Sequence, residues 1–249
     1  MLFRSIQDWG IEGITPEDMK PRFDQIEKEI NVIEPTEEMT NDNNRLFKEG
    51  CDKLGFLVEK IPLNLRDCEQ MAFCNLGCAK GHKQGTANVQ IPAAQSAGIE
   101  LIPNCRVSFV KENEVHATIT DAPEGTIPSL ISIGEYNFKA KKIIISGGTA
   151  GTTALLLKSG FGKKLPTLGK YITLHPAMTI NGIYPQNIKN YKGFPKVYYT
   201  TEFSKSNDFY IETAFYYPFI TTKNLCLWGE DLMYVIKRYN QIMSAIILL

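Results

Sequence analysis

The fold of this chain is decided by one stretch, "KKIIISGGTAGTTALLLKSGFG", which runs from Lys141 to Gly162. Three isoleucines lead into two glycines, a threonine-rich turn and a short apolar run. This order is typical of a short buried strand that enters a tight turn and then a helix. Backbone N–H groups at such a turn can approach a phosphate or a dinucleotide. The spacing is not GxGxxG, and close strand–helix packing needs glycines equally, so both interpretations stay open.

Composition excludes some classes of protein. The 249 residues include 27 basic and 27 acidic ones, so no net charge favours binding to nucleic acid. A hydrophobic content of 43% with 22% charged residues is ordinary for a globular protein. No apolar run approaches the roughly 18 residues of a membrane span, and "MLFRSIQDWG" at the start lacks the apolar core of a signal peptide. The sequence therefore predicts no nucleic-acid partner and no transmembrane segment. It leaves the compartment open and favours the cytoplasm only slightly.

Three helices are predicted before the glycine stretch. The first begins at "TPEDMKPRFDQIEKEINV", where Thr15 is the expected N-cap and Pro16 the first helical residue. The second is "NDNNRLFKEGCDKLGF", with Gly55 expected just past its end. The third, "TANVQIPAAQSAG", is expected to end at Gly98.

Strands are predicted on both sides of the glycine stretch. The segment at 99–120 alternates apolar and polar residues around a polar turn at 111–114, which indicates a pair of strands. Aromatic and β-branched residues dominate 171–217, which predicts a mainly antiparallel sheet. A final helix is predicted over 229–246, "GEDLMYVIKRYNQIMSAI", from its apolar residues at spacings of three and four.

The loop "CEQMAFCNLGCAKGHKQGT" concentrates three of the six cysteines. Cys68, Cys74 and Cys78 have the spacing C-x5-C-x3-C. Thiolates this close together can ligate zinc or an iron–sulfur cluster, and His82 could supply a fourth zinc ligand. A disulfide or unpaired cysteines remain open alternatives. The other three cysteines stand in apolar or strand contexts and are predicted to be buried thiols: Cys51, Cys105 and Cys226.

Taken together, these segments resemble the glucose–methanol–choline (GMC) family of FAD-dependent oxidoreductases. The passage at 74–107 is similar to one in bacterial alcohol dehydrogenases and long-chain alcohol oxidases. "GTAGTTALLLKSGFG", at 148–162, matches the second signature of the family except at Thr153, where Pro or Ser is usual. "DWGIEGITPEDMKPRFDQIEKEINV" before them and "LGKYITLHP" after them follow the family in the same order.

The resemblance implies a fold class and a division of the chain. The fold would be mixed α/β, with part of a Rossmann-like FAD-binding domain and part of an antiparallel-sheet substrate domain. Residues 1–90 would form a helical and loop segment that covers the flavin and includes the cysteine loop. Residues 91–168 would belong to the FAD-binding domain. Residues 169–249 would begin the substrate domain, with the aromatic sheet as a wall of the substrate cavity.

The resemblance also implies the cofactor and its contacts. Val107 stands where the family uses strand backbone to hydrogen-bond the FAD adenine. Ser146, Gly147 and Gly148 occupy the turn that lies against the cofactor. The reaction would transfer a hydride from a small-molecule alcohol or sugar to flavin N5. No catalytic residue is assigned, because His175 in "TLHPA" corresponds to a structural His–Pro of the family.

A second cofactor is implied by the cysteine spacing. Some bacterial FAD-dependent sugar dehydrogenases of this family hold a three-iron four-sulfur cluster with three cysteines at the same spacing. That cluster relays electrons from flavin to a cytochrome subunit. Cys68, Cys74 and Cys78 would then be cluster ligands, and a cytochrome or other electron-acceptor subunit would be a partner. The competing hypothesis from another class is a non-catalytic electron-transfer or binding module that carries this cluster.

Two parts of the family pattern have no match in the 249 residues. They are the strand–GxGxxG–helix unit that binds the ADP moiety and the C-terminal histidine region that performs the chemistry. We therefore expect an internal part of a longer oxidoreductase that is not catalytically competent alone. We also expect it to fold poorly alone, because the predicted strand at 142–148 would lack sheet neighbours.

Overall fold

The computed structural model describes Gly10, residues 12–215 and residues 217–249. The segment assessed above for a signal peptide therefore lies outside the described residues, except for Gly10. The chain divides into two compact units, each described here by itself. The larger unit combines Met1–Ala94 with His175–Leu249, and the smaller unit is Gln95–Leu174.

Short helices and strands alternate along the described chain. The α-helices are α1 (Pro16–Glu29), α2 (Asp42–Leu54), α3 (Gln90–Ser96), α4 (Gly148–Lys158), α5 (Pro218–Asn224) and α6 (Gly229–Ile236). The first five strands are β1 (Val32–Ile33), β2 (Glu59–Lys60), β3 (Leu63–Asn64), β4 (Cys105–Val110) and β5 (Glu114–Ile119). The others are β6 (Gly134–Lys139), β7 (Ala177–Ile183), β8 (Tyr198–Thr200), β9 (Tyr210–Ala214) and β10 (Ile242–Leu248). The predicted mixed α/β class is confirmed.

The predicted boundaries of α1 and α2 are confirmed by their caps. Thr15 Oγ1 accepts a hydrogen bond from Asp18 N at 3.1 Å, and the Asp18 carboxylate accepts one from Thr15 N at 2.9 Å. The backbone N–H and the hydroxyl of Thr15 both donate to the Asp18 carboxylate, and these two bonds lower the pKa of Asp18. At the end of α2, Gly55 adopts a left-handed conformation with φ of 72°, which glycine tolerates without the steric cost of a side chain. Residues beside the helix ends therefore determine where α1 begins and where α2 ends.

The larger unit contains the predicted antiparallel sheet. Five strands pair in the order β2-β8-β9-β10-β7, and every adjacent pair is antiparallel. Helix α2 covers this sheet, and its Phe47 and Cys51 pack in a buried cluster with Val197, Tyr198 and Ala245. A smaller ladder pairs β1 with β3. The prediction of a mainly antiparallel sheet is confirmed.

A fully buried asparagine ties α2 to the centre of that sheet. Asn43 Nδ2 donates to Ala214 O at 3.1 Å and to Ser244 O at 3.2 Å. Its Oδ1 accepts from Ser244 N at 2.7 Å. Buried amides need such partners, and here the side chain satisfies backbone groups of β9 and β10. Helix and sheet are therefore joined by specific polar contacts as well as by apolar packing.

The prediction of one helix over 229–246 is wrong in its second half. Helix α6 ends at Ile236, a 3₁₀ turn follows at Tyr239–Gln241, and β10 begins at Ile242. This strand lies inside the sheet, with β9 on one side and β7 on the other. Hydrogen bonding and burial on both sides outweigh the helical spacing of the apolar residues, since strand formation depends on neighbours more than on local preference.

The smaller unit is built on a three-stranded sheet in the order β4-β5-β6, all antiparallel. The predicted hairpin over 99–120 is confirmed as β4 and β5. Strand β6 was not predicted, because it follows a turn-rich segment. Helix α4 packs on β4, and the two are joined where Val110 N donates to Ser159 Oγ at 3.0 Å.

The prediction of a buried strand in "KIIISGG" is also wrong. No described residue pairs with 142–146, and Ile144 is 90% exposed. A strand needs a neighbour to accept and donate its backbone hydrogen bonds, and the described part of the chain places none beside this segment. Ile144 therefore remains on the surface, whereas Ile143 and Ile145 are half-buried.

Candidate functional site

The glycine turn before α4 has a shape that only glycine fits. Gly147 N donates to Thr152 Oγ1 at 2.9 Å, and a Cβ added at Gly147 would lie 3.2 Å from Thr152 N. Gly148 has φ of 73°, in the left-handed region, and a Cβ there would meet no atom within 4 Å. The first glycine is thus required by close packing and the second by backbone conformation. Ser146, just before them, is exposed, so the outer side of the turn is open.

The turn leads into α4, whose first backbone N–H groups lack a capping side chain. Helix α4 has no side-chain hydrogen bond at its N-cap, so its first N–H groups remain free of any capping side chain. The N-terminus of a helix also carries partial positive charge. An anionic group such as a pyrophosphate fits this arrangement.

Val107 lies in the same unit as the turn. It belongs to β4, an edge strand of the described three-stranded sheet, and it is 38% exposed. The register of β4 against β5 shifts between Val107 and Phe109, as at a β-bulge. Bulges redirect a strand and leave one residue unpaired. The strand that carries Val107 therefore has an accessible edge, which fits the backbone contact implied for an adenine.

In the larger unit, the three clustered cysteines line one small cavity. Cys68, Cys74 and Cys78 share it with His82, and its volume is about 30 Å³. His82 Nδ1 lies 3.0 Å from Arg66 O, and Nε2 lies 3.3 Å from Glu69 Oε1. A cavity of this volume holds about one water molecule. The sequence grouped these four residues correctly in space.

The thiols in this cavity have different surroundings. Burial raises the pKa of Cys74, and the neighbouring Cys68 and Cys78 raise it further. The backbone N–H groups of Lys83 and its neighbours lower the pKa of Cys78. All six cysteines of the chain are free thiols. Of the three predicted to be buried, Cys51 is buried, whereas the prediction is wrong for Cys105, which is half-buried, and for Cys226, which is exposed.

The cysteine cavity does not supply a metal-binding set as it stands. Among the residues that the structure describes, no group of three or more histidine, cysteine or acidic side chains is arranged to hold a metal ion. His82 is held by a carbonyl and a carboxylate rather than directed at the sulfurs. The described residues therefore form no ready-made metal-binding set, and the cluster ligated by Cys68, Cys74 and Cys78 stays a prediction from resemblance.

The five-stranded sheet carries an open groove of about 940 Å³. Its lining combines an aromatic wall with polar groups: Tyr199, Phe209 and Tyr210, with His175, Thr201, Ser204, Asp208 and Glu212, and also Ile61, Pro62 and Leu249. The rings of His175 and Tyr210 have centroids 6.4 Å apart. Burial raises the pKa of Tyr210, and Glu212 raises it further.

Sequence reasoning missed an ion pair that involves one residue of this groove. Glu212, whose side chain is only 13% exposed, forms an ion pair with Lys196. The two residues lie on or beside neighbouring strands, since Tyr199 in β8 stands opposite Glu212 in β9. Register brings them together, and register is not visible in a single segment of sequence.

Comparison with known proteins settles the family. The sequence model of the GMC oxidoreductases matches residues 5–177, more than half of the chain and all of the glycine turn. This chain belongs to the GMC oxidoreductase family. Members of the family are FAD-dependent and act on CH–OH groups. The resemblance identified from the residues is thereby confirmed.

Relatives of this GMC chain include proteins named for alcohol oxidation. An uncharacterized GMC-type oxidoreductase of Mycobacterium tuberculosis is 25% identical over 237 residues, covering 94% of this chain and 36% of the relative. A long-chain-alcohol oxidase of Arabidopsis thaliana is 30% identical over 154 residues, 59% of this chain and 20% of its own. A cholesterol oxidase of Mycobacterium tuberculosis is 24% identical over 195 residues, 66% of this chain and 32% of its own.

The GMC chain thus spans about a third or less of the length of these relatives. Within the part that the structure describes, every helix is too short or too polar to cross a bilayer.

Proposed function

We propose that this chain contributes the FAD-holding turn and part of the substrate-binding sheet of an oxidoreductase that transfers a hydride from an alcohol or sugar to flavin. The observation that carries the proposal is the glycine turn at 146–148. It combines a left-handed Gly148, a close-packed Gly147 and an uncapped helix N-terminus. The match to the family covers the whole turn.

The residues of the chain would hold and orient the cofactor. The edge-strand backbone at Val107 would hydrogen-bond the adenine, and Ser146, Gly147 and Gly148 would lie against the cofactor. The uncapped N–H groups at the start of α4 would donate to its phosphates. When bound, the flavin supplies N5 as the hydride acceptor. No described side chain is assigned as the catalytic base. On this proposal, the described residues bind and position the cofactor and do not perform the proton transfer.

The groove on the five-stranded sheet supports an alcohol or sugar as substrate. Tyr199, Phe209 and Tyr210 give it an aromatic wall, which suits an apolar chain or the C–H face of a sugar. His175 and the partly buried Glu212 can hydrogen-bond a hydroxyl group. The names of the long-chain-alcohol oxidase and cholesterol oxidase relatives agree with an alcohol substrate. Sheet residues would thus bind and align the CH–OH group and exclude water from it.

The test is FAD binding by the full chain. We expect recombinant protein to show a yellow flavin spectrum or to bind added FAD. Gly148→Ala places a side chain at positive φ, which costs about 1–2 kcal/mol and should weaken FAD binding roughly tenfold. Gly151→Ala is the matched control, because it lies in α4 without positive φ and with open space around its Cβ position. Colourless protein that ignores FAD, or equal effects of both variants, would contradict the proposal.

A second candidate is an electron-transfer module with an iron–sulfur cluster, passing electrons to a cytochrome or other acceptor subunit. It is favoured by one observation, the shared cavity of Cys68, Cys74 and Cys78. Iron and sulfide analysis with EPR on anaerobically prepared protein tests it. Stoichiometric iron and a cluster signal would support the relay, and their absence rules it out.

A further inference from the structure

We propose that Glu212, oriented by Lys196, determines which substrate the groove on the five-stranded sheet accepts, by binding a hydroxyl group other than the one that is oxidised. The substrate is then a polyol or a sugar rather than a long-chain alcohol with a single hydroxyl group. This inference rests on the proposed function, since it assigns a substrate class to the same groove. Glu212 lines that groove, and its side chain is only 13% exposed.

Strand alternation directs Glu212 and Tyr210 to the face of β9 that α2 does not cover. Ile211, which lies between them in the chain, packs against the buried cluster beneath α2. Successive side chains of a strand point to opposite faces of a sheet, and both Glu212 and Tyr210 line the groove. Two residues along a strand span about 7 Å. A ligand the size of one sugar ring can therefore contact the carboxylate and the aromatic ring together.

Lys196 holds the Glu212 carboxylate in place. Lys196 Nζ donates to Glu212 Oε1. The next residue, Val197, is fully buried, and its N–H lies 3.0 Å from both Thr213 Oγ1 and Asn44 Oδ1. Thr213 directly follows Glu212 in β9, so the backbone beside each charged residue is joined to the other. Lys196 is therefore a positioning residue for the carboxylate.

The second carboxylate oxygen of Glu212 is available to a ligand. Within the part of the chain that the structure describes, no hydrogen bond reaches Glu212 Oε2. A carboxylate oxygen only accepts hydrogen bonds, and covering it without a donor is costly. An alkyl chain laid over Glu212 has no donor to offer, whereas a sugar hydroxyl has one. A site built to bind a hydroxyl group rejects an analogue that lacks it.

The aromatic wall of the groove does not decide between the two kinds of substrate. Tyr199 stands opposite Glu212 in the register of β8 and β9. Burial raises the pKa of Tyr199, and Glu59 beside its hydroxyl raises it further, so the ring is packed and held. The faces of Tyr199 and Tyr210 suit an alkyl chain and the C–H face of a sugar equally well. The choice therefore depends on Glu212.

The test compares D-glucose with 1-hexanol, which has the same number of carbon atoms but a single hydroxyl group. Saturation-transfer difference NMR on the full chain measures both affinities. We expect glucose to bind more tightly than hexanol. Glu212→Gln should weaken glucose binding about tenfold, because a hydrogen bond to a charged acceptor is lost. It should leave hexanol binding unchanged or stronger, because no charge is left to be covered.

Two further variants separate selection from folding. Lys196→Met removes the group that orients the carboxylate, so it should weaken glucose binding by a smaller factor and leave hexanol binding unchanged. It also keeps the proposal testable if Glu212→Gln unfolds, which circular dichroism would show. Glu135→Gln is the matched control, since this exposed carboxylate lies on β6 of the smaller unit. It should change the affinity of neither ligand.

Three results would overturn the proposal: tighter binding of hexanol than of glucose, no binding of glucose, or glucose binding that Glu212→Gln and Lys196→Met leave unchanged. The readout does not depend on flavin. A chain that binds FAD but prefers hexanol would overturn this proposal and leave the proposed function intact. Glucose binding that depends on Glu212 in a chain that ignores FAD would contradict the proposed function alone.

Discussion

Two isoleucine-rich segments of similar composition have opposite environments in this molecule. "KIIIS" at 142–146 pairs with no described strand and leaves Ile144 90% exposed. "SAIIL" at 244–248 lies in an interior strand of a five-stranded sheet, where Ile246 is 5% exposed and stands between Thr179 of β7 and Glu212 of β9. The difference shows that β-branched composition gives a segment the capacity to be a strand, and that neighbouring backbone decides whether it becomes one.

The paired segment has a third neighbour, the Asn43 side chain of α2, and its removal should have the largest effect. Asn43→Ala leaves backbone groups of Ser244 and Ala214 buried without partners. Each such group costs about 1–3 kcal/mol, so we expect the free energy of unfolding to fall by about 4 kcal/mol. Urea unfolding followed by circular dichroism measures it. The exposed Asn240→Ala is the control, and an equal loss in both variants would contradict this role of Asn43.

Truncation of the paired isoleucine should have the next largest effect. Ile246→Ala removes buried side-chain atoms from a site with strands on both sides. The lost burial and the cavity left behind cost about 3 kcal/mol. Urea unfolding followed by circular dichroism measures this loss of stability. A loss below about 1 kcal/mol would mean that the sheet is less tightly packed around Ile246 than the structure shows.

The same substitution in the unpaired segment should have the smallest effect. Ile144→Ala removes a side chain that solvent already surrounds, so the free energy of unfolding should change by less than about 0.5 kcal/mol. Ile246→Ala is its matched comparison, since both change isoleucine to alanine. If Ile144→Ala destabilised the full chain as much as Ile246→Ala, the segment at 142–146 would be a buried strand in solution.

The parts of the fold that sequence predicted correctly are those set by local chemistry. Thr15, Pro16 and Gly55 mark helix ends through bonds within a few residues, and the hairpin of β4 and β5 follows from alternation around one turn. The two errors, at 142–148 and in the second half of 229–246, concern segments whose state depends on strands distant in sequence. The strand propensity of a segment does not tell whether another strand, distant in the sequence, lies beside it.

In the candidate site, too, the sequence predicted the features that are set locally and missed those that depend on distant residues. The glycine turn at 146–148 was predictable because close approach and positive φ select glycine locally. The shared cavity of Cys68, Cys74 and Cys78 followed from short spacing, whereas spacing alone does not tell whether the described side chains form a ready-made metal-binding set, and they do not. The Lys196–Glu212 pair depends on strand register and carried no readable motif.

Hydrogen exchange on the full chain, with and without FAD, tests the central claim most directly. We predict fast exchange at 143–148 without FAD, slow exchange at 244–248 in both states, and exchange at 146–148 slowed about tenfold when FAD binds. That result would show that FAD binds at the glycine turn that follows the unpaired segment. Flavin bound with no change in exchange at 146–148, or equal protection of both isoleucine segments without FAD, would contradict the account.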